Sequence, residues 1–137
     1  MKFLLDTNIV SESVRKIPRA EIAAWLVQHQ LQCALSTVTV AEICYGASRL
    51  PVSNRRRLIE EYLETLCQDL KILPYDLPAS LWLGKEKARL EREGTPVDLA
   101  DSMIAAVAVT RELILVTENE RHFKNFQGLT VYNPARG

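Results

Sequence analysis

Three carboxylates in this chain stand where ordinary protein structure gives them little to do. Asp6 ends the apolar run MKFLLD, Glu42 lies inside STVTVAEICYG, and Asp101 lies inside VDLADSMIAAVAV. A carboxylate among apolar neighbours carries a desolvation cost unless a hydrogen-bond donor or a cation answers it. On a helix, Glu42 would have Val38, Thr39, Tyr45 and Gly46 three and four positions away, none of them basic. Asp101 has Asp98 three positions before it and Ile104 and Ala105 ahead. Two acids so placed raise each other's pKa unless a cation is present. A fourth polar group, Asn119, follows an apolar run in LVTENERHF, with Glu120 beside it. Carboxylates and an amide are all oxygen donors, a set that suits Mg²⁺ or Mn²⁺ and not zinc. The expected metal ligands are Asp6, Asp101 and Glu42, and either Asn119 or Glu120 could add a further oxygen.

Each of these residues also has an ordinary reading. Asp is a good N-cap, so Asp6 could cap the helix that follows it. Glu42 could meet a partner from elsewhere in the fold, and Asn119 or Glu120 could be loop surface. Asp98 fits the third position of a capping box opened by Thr95, which leaves Asp101 about a turn further in without that use. Other acids need no special account. Glu60, Glu61 and Glu64 lie beside Arg55, Arg56 and Arg57, and Glu86, Glu91 and Glu93 alternate with Lys85, Lys87, Arg89 and Arg92. Both groups read as solvated helix faces.

The elements that must position the acids are short. Apolar runs at Lys2 to Leu5, Gln32 to Leu35, Ile72 to Tyr75, Leu113 to Val116 and Leu129 to Tyr132 predict five strands. Continuous rather than alternating hydrophobicity is the mark of a parallel sheet covered on both faces. Helices are expected between them. Pro18 is placed in the first turn of one with Ile22, Trp25, Leu26 and His29 on a stripe, and Ser36 or Thr37 caps another that stops before Pro51. Asn54 caps a third, and further helices run from near Pro78 to Gly94, after Thr95-Pro96, and over Asn119 to Asn125. Strands alternating with helices give an α/β domain over residues 1–137, and ligands on such sheets bind beyond the carboxyl ends of the strands. Asp6 and Thr117 both fall at such ends.

Composition narrows the function. Hydrophobic residues make up 47% of 137, which argues against disorder. Seventeen basic residues balance seventeen acidic ones, so no global field draws nucleic acid and any grip must be local. Candidates are Arg121 and Lys124 near the site edge, and Arg49 with Arg55 to Arg57. Cys33, Cys44 and Cys67 are read as reduced core or near-core residues of a cytoplasmic protein. The N-terminal apolar run is broken at Asp6, unlike a signal peptide, and no stretch approaches the roughly 18 apolar residues of a membrane span. His29 and His122 belong to no histidine-rich ligand motif. GxGxxG, GxxxxGK[ST] and GxSxG are all missing, which removes the common nucleotide-binding and serine-hydrolase readings.

In order and spacing, LLDTNIVSE, LSTVTVAEICYG, DLADSMIAAVAV and LVTENERHF resemble the PIN domain, and more closely the VapC-type toxins of bacterial toxin–antitoxin pairs. The likeness extends to the terminal VYNP. It implies a PIN-like α/β/α sandwich around a mostly parallel sheet of about five strands, and a Mg²⁺-dependent endoribonuclease. The family's acids fall on Asp6, Glu42 and Asp101, and its fourth position, often Asp, falls on Asn119. That amide removes one charge and leaves a second tightly held metal in question. Asp6 and Asp101 are expected to ligate directly, Glu42 through water or as proton acceptor, and Asn8 and Thr117 to hold neighbouring groups in place. Metal-activated water attacking RNA gives 5′-phosphate and 3′-hydroxyl ends. The resemblance further implies a VapB-like antitoxin, often with an arginine in the acidic pocket, and a homodimer in which Trp25 or Trp82 could serve if they are not core. Two rivals remain: a PIN fold that binds RNA or protein without cutting, and a receiver-like phosphoacceptor built on Asp6, Asp76 and Thr117.

Overall fold

The computed structural model describes residues 1–136. All five apolar runs are strands: β1 (Phe3–Leu5), β2 (Cys33–Ser36), β3 (Lys71–Leu73), β4 (Ile114–Val116) and β5 (Thr130–Tyr132). They form one sheet in the order β3-β2-β1-β4-β5, and every neighbouring pair is parallel. The chain builds outward from β1 to β3, then returns to the other side of β1 for β4 and β5. The order therefore reverses between β1 and β4, and the carboxyl ends of these two strands flank the switch point where open sheets bind ligands.

Strand alternation divides the core into two layers. Phe3, Leu5, Leu35 and Val116 pack with Ile9, Val10, Ile22, Trp25 and Leu66 on one face. These belong to α1 (Thr7–Val10), α2 (Ala20–His29) and α4 (Asn54–Asp69). Leu4, Ala34 and Leu115 pack on the other face with α5 (Leu77–Arg92), α6 (Leu99–Thr110) and α7 (Glu120–Phe123). Between β2 and α4 lies α3 (Thr37–Ser48), with Val38 against the second layer and Ile43 in the first. Helices on both faces make every central-strand side chain a core side chain, which is why the strands read as unbroken apolar runs.

Several local expectations shift. The helix after Pro18 begins at Ala20 with Arg19 at its N-cap, so Pro18 precedes the first turn. Ser53, not Asn54, caps α4, its hydroxyl accepting from the Arg56 amide at 3.2 Å. Ser36 caps α3, accepting from the Thr39 amide. The capping box at Thr95 does not form. Asp98 is itself the N-cap of α6 and accepts from the Asp101 amide at 3.1 Å, so Asp101 stands in the first turn rather than a turn beyond it. Glu86 is buried, not solvated: it accepts from Arg89 at 2.7 and 2.8 Å and from the Gln127 amide at 2.7 Å. Cys33 is in the core, but Cys44 and Cys67 are exposed. Trp25 is a core residue stacked on His29, and Trp82 packs against Phe126.

Candidate active site

The site grows from the end of β1. The Asp6 amide donates to Val116 O at 2.9 Å, which fixes the strand end, and the Asp6 carboxylate then caps α1 through the Thr7 amide at 2.8 Å. The ordinary reading of Asp6 therefore holds, yet it occupies only one oxygen. The other accepts from the Thr117 hydroxyl at 2.7 Å and the Asn8 side-chain amide at 3.2 Å. Asn8 also donates to Thr117 Oγ1 at 3.3 Å, and the Asn119 amide donates to the same oxygen at 3.0 Å. Thr117 and Asn8 thus hold Asp6 across the switch point, joining the loops after β1 and β4.

Glu42, on α3, accepts from the Thr7 hydroxyl at 2.5 Å. Thr7 therefore touches both Asp6, through its amide, and Glu42, through its side chain. Asp101, from the first turn of α6, meets His122 of α7 at 3.2 Å between Oδ2 and Nδ1. It lines an open cleft of about 530 Å³ together with Asp98, Asn119, Arg121 and His122.

The carboxylates share one field. Burial raises the Asp6 pKa, hydrogen bonds from Thr117 and Thr7 oppose the rise, and Glu42 adds to it. Asp101 is pushed up to about 6, first by burial and then by Asp6 and Asp98, with His122 opposing and Glu42 adding. Among the described residues no arginine or lysine forms a salt bridge with Asp6, Glu42 or Asp101. Among the described residues the half-exposed imidazole of His122 is the one basic side chain within ion-pair distance of these three carboxylates.

Mutual repulsion without a resident cation is the condition under which carboxylates take up a metal ion. Carboxylate oxygens in that condition are the donor type of Mg²⁺ or Mn²⁺, which need only one or two protein carboxylates and keep several waters. Among the described residues no group of three or more His, Cys, Asp or Glu side chains stands together as one that could hold a metal ion. An ion held here would take one or two of these carboxylates directly and complete its shell with water.

The remaining candidates fall outside this set. Glu120 is turned to other partners, Arg136 at 2.7 Å and Asn133 at 3.3 Å, and so does not substitute for Asn119. Asp76 caps α5 through the Ala79 amide and pairs with Arg111 at 2.9 Å, which gives it an ordinary use and takes away the receiver-like reading. Of the basic candidates, Arg121 lines the cleft, whereas Arg56 is spent on Glu60 and Leu50 O and Arg55 on Val14 O.

A model of the PIN domain matches residues 3–129. The chain belongs to the PIN domain family. Among relatives of this PIN domain is the tRNA(fMet)-specific endonuclease VapC of Shigella flexneri, 35% identical over 129 residues, which are 94% of this chain and 95% of the relative. Another is toxin FitB of Neisseria gonorrhoeae, 32% identical, with 96% of each chain covered. The crystal structure of FitAcB from Neisseria gonorrhoeae superposes with a TM-score of 0.90 at 30% identity, over 98% of this chain and 99% of that one. DNA-bound VapBC from Salmonella typhimurium gives 0.87 at 31% identity, over 98% of each.

Two features escaped the sequence. His122 contacts Asp101 because α7 packs near the start of α6, and nothing in the spacing of 101 and 122 signals this. Glu12 is fully buried and bound by Arg15 and Arg19, although nothing in the polar string SESVRKIPR marks it as a core residue.

Proposed function

We propose that this PIN domain, acting as one unit over residues 1–137, is a Mg²⁺-dependent endoribonuclease toxin held in check by a cognate VapB-like antitoxin. Mn²⁺ is the natural substitute ion. The observation that carries the reading is the convergence of Asp6, Glu42 and Asp101 on one sheet edge with no arginine or lysine of their own chain paired to them. The names of the relatives supply the class of reaction. VapC ribonucleases and endonucleases align with this chain over nearly its whole length, and VapBC assemblies share its fold.

Asp6 and Asp101 would hold the ion, with Glu42 reaching it through water or accepting a proton from that water. The ion, when bound, supplies positive charge for the attacked phosphate and acidifies water at neutral pH. The chain's own residues do the rest. Thr117 and Asn8 fix the Asp6 carboxylate, and Thr7 fixes Glu42 against it. Asn119 lines the cleft beside Asp101, and Arg121 offers a local cation for an RNA phosphate where net charge offers none. Single-stranded or loop RNA suits an open cleft of this kind better than duplex, whose bases are stacked inside.

The same three carboxylates explain neutralisation. An antitoxin arginine entering the cleft would meet acids that have no arginine of their own and could bind them as a bidentate pair. The toxin is proposed to work in the cytoplasm as a homodimer. Among the described residues no helix is long and apolar enough to cross a membrane.

The test is cleavage of single-stranded RNA by the purified protein in Mg²⁺, in Mn²⁺ and in EDTA, with product ends mapped. The reading expects cutting with either ion, none in EDTA, and 5′-phosphate ends. Cutting that persists in EDTA, or tight RNA binding with no cutting in any metal, would sink it; the second result would favour a binding-only PIN domain.

A further inference from the structure

Glu118 is an acid beside an acid site, placed between two residues that serve it. Thr117 donates to Asp6, and Asn119 lines the cleft next to Asp101. A further negative charge beside Asp6, Glu42 and Asp101 would add to the repulsion, unless something balances it. Arg19 does so: its guanidinium forms an ion pair with Glu118 through Nη2. That arginine is in turn fixed from behind. Its Nε and Nη2 donate to the two oxygens of Glu12 at 3.2 and 3.3 Å, and its backbone amide donates to Glu12 Oε1 at 2.7 Å. Arg15 adds a further bond to Glu12 at 3.1 Å. Glu12 is only 1% exposed, so it is an anchor that moves only if the fold opens.

The Glu118 backbone completes the path. Its amide donates to Asn8 Oδ1 at 3.3 Å, while the Asn8 side-chain nitrogen donates to Asp6. The loop after β4 is thus bound on one side to Asp6 and on the other to a buried anchor 106 positions earlier in the chain (118 minus 12).

We propose that Arg19, anchored by Glu12 and acting through Glu118, is a positioning residue of the acid site, holding the loop 117–119 so that Thr117 and Asn119 keep their places against Asp6 and Asp101. The inference rests on the metal-dependent reading above. Groups one step behind metal ligands set ligand orientation, and loosening them weakens ion affinity without removing a ligand.

The experiment compares Glu118→Gln, which keeps the reach and loses the charge, with Glu118→Asp, which keeps the charge and loses the reach to Arg19. Arg19→Lys, which keeps a charge but not the fork, is the third variant. Mn²⁺ binding is measured by calorimetry, RNA cleavage by kcat and KM, and loop order by amide hydrogen exchange at residues 118 and 119. Positioning predicts that all three weaken Mn²⁺ binding about threefold to tenfold, lower kcat with KM near wild type, and speed exchange at both amides. It also predicts that Glu118→Gln combined with Arg19→Lys is no worse than the more impaired single variant.

Glu118→Asp indistinguishable from wild type in Mn²⁺ affinity and exchange would overturn the proposal, because charge alone would then matter. A lowered melting midpoint with unchanged Mn²⁺ binding and exchange would overturn it as well. If the wild type itself binds no Mn²⁺ or cuts no RNA, the nuclease reading fails separately. The exchange rates then decide the tether by themselves: faster in all three variants supports it, unchanged overturns it.

Discussion

Glu86 and Asp6 are both buried carboxylates, 7% and 4% exposed, and their surroundings are opposite. Glu86 receives two guanidinium nitrogens of Arg89 and the amide of Gln127, and this environment holds its pKa below the ordinary range. Glu12 is treated in the same way by Arg15 and Arg19, and its pKa is drawn down to about 2, chiefly by its hydrogen bonds to Arg19. Asp6 receives a hydroxyl, an amide side chain and a backbone N–H, with no full positive charge, and its pKa moves up. Asp101 is pushed up to about 6, first by burial and then by the neighbouring acids Asp6 and Asp98. The first pair of acids holds the protein together. Asp6 is kept in order by neutral donors, and Asp101 meets only the imidazole of His122, so neither is answered by an arginine or lysine as Glu86 and Glu12 are.

The difference can be broken most sharply at Asp6 and Asp101. Asp6→Asn or Asp101→Asn is expected to lower RNA cleavage by about a thousandfold or more while the melting midpoint stays level or rises, since each change removes an uncompensated charge. Cleavage near wild type in either variant would place Asp6 and Asp101 with the ordinary structural acids. A smaller effect follows from filling the site. Mn²⁺ at about 100 times its dissociation constant should stabilise the wild type by about 2.7 kcal/mol in thermal melts, and should do much less for Asp101→Asn. Equal stabilisation of both proteins would put the ion somewhere else.

The structural acids should behave in reverse. Glu86→Gln is expected to cost about 1–3 kcal/mol in urea unfolding, because it strips a charged acceptor from Arg89, and to leave Mn²⁺ affinity unchanged. A change in ion affinity with no loss of stability would contradict the division drawn above. The finest test is pH. Glu12 and Glu86 have folded pKa values below the ordinary 4.5, so their contribution to stability is present above 4.5 and is lost as pH falls through the folded values. For Glu12 that window runs from 4.5 down to about 2. Unfolding measured across it should show a fall in stability that Glu12→Gln makes shallower; an identical slope would mean the Glu12 cluster is not formed in solution.

Much of this was legible in the residues. Five apolar runs sufficed for five parallel strands, and the three inner ones, β1, β2 and β4, are largely buried because a strand covered on both faces has no polar side to show. Asp6, Glu42 and Asp101 stood out because local helix and cap geometry left them without basic neighbours. The same local view failed where partners come from a distance or from an unexpected frame. Glu86 reads as part of a solvated face, since its own helix supplies plausible surface partners, yet it is buried and bound by Arg89 and the Gln127 amide. Asp98 reads as the third position of a cap but is the cap itself, because Thr95 and Asp98 are both good caps three residues apart and only backbone geometry separates them.

By itself, then, the sequence determined the element types and which acids lacked local partners, since both follow from neighbours within a turn or along a strand. Only the tertiary structure decided that the reversal between β1 and β4 brings Thr117 to Asp6, that α7 brings His122 to Asp101, and that Arg19 links Glu12 to Glu118. Those pairings join residues far apart in the chain, and their geometry is set by strand order and helix packing rather than by any local spacing.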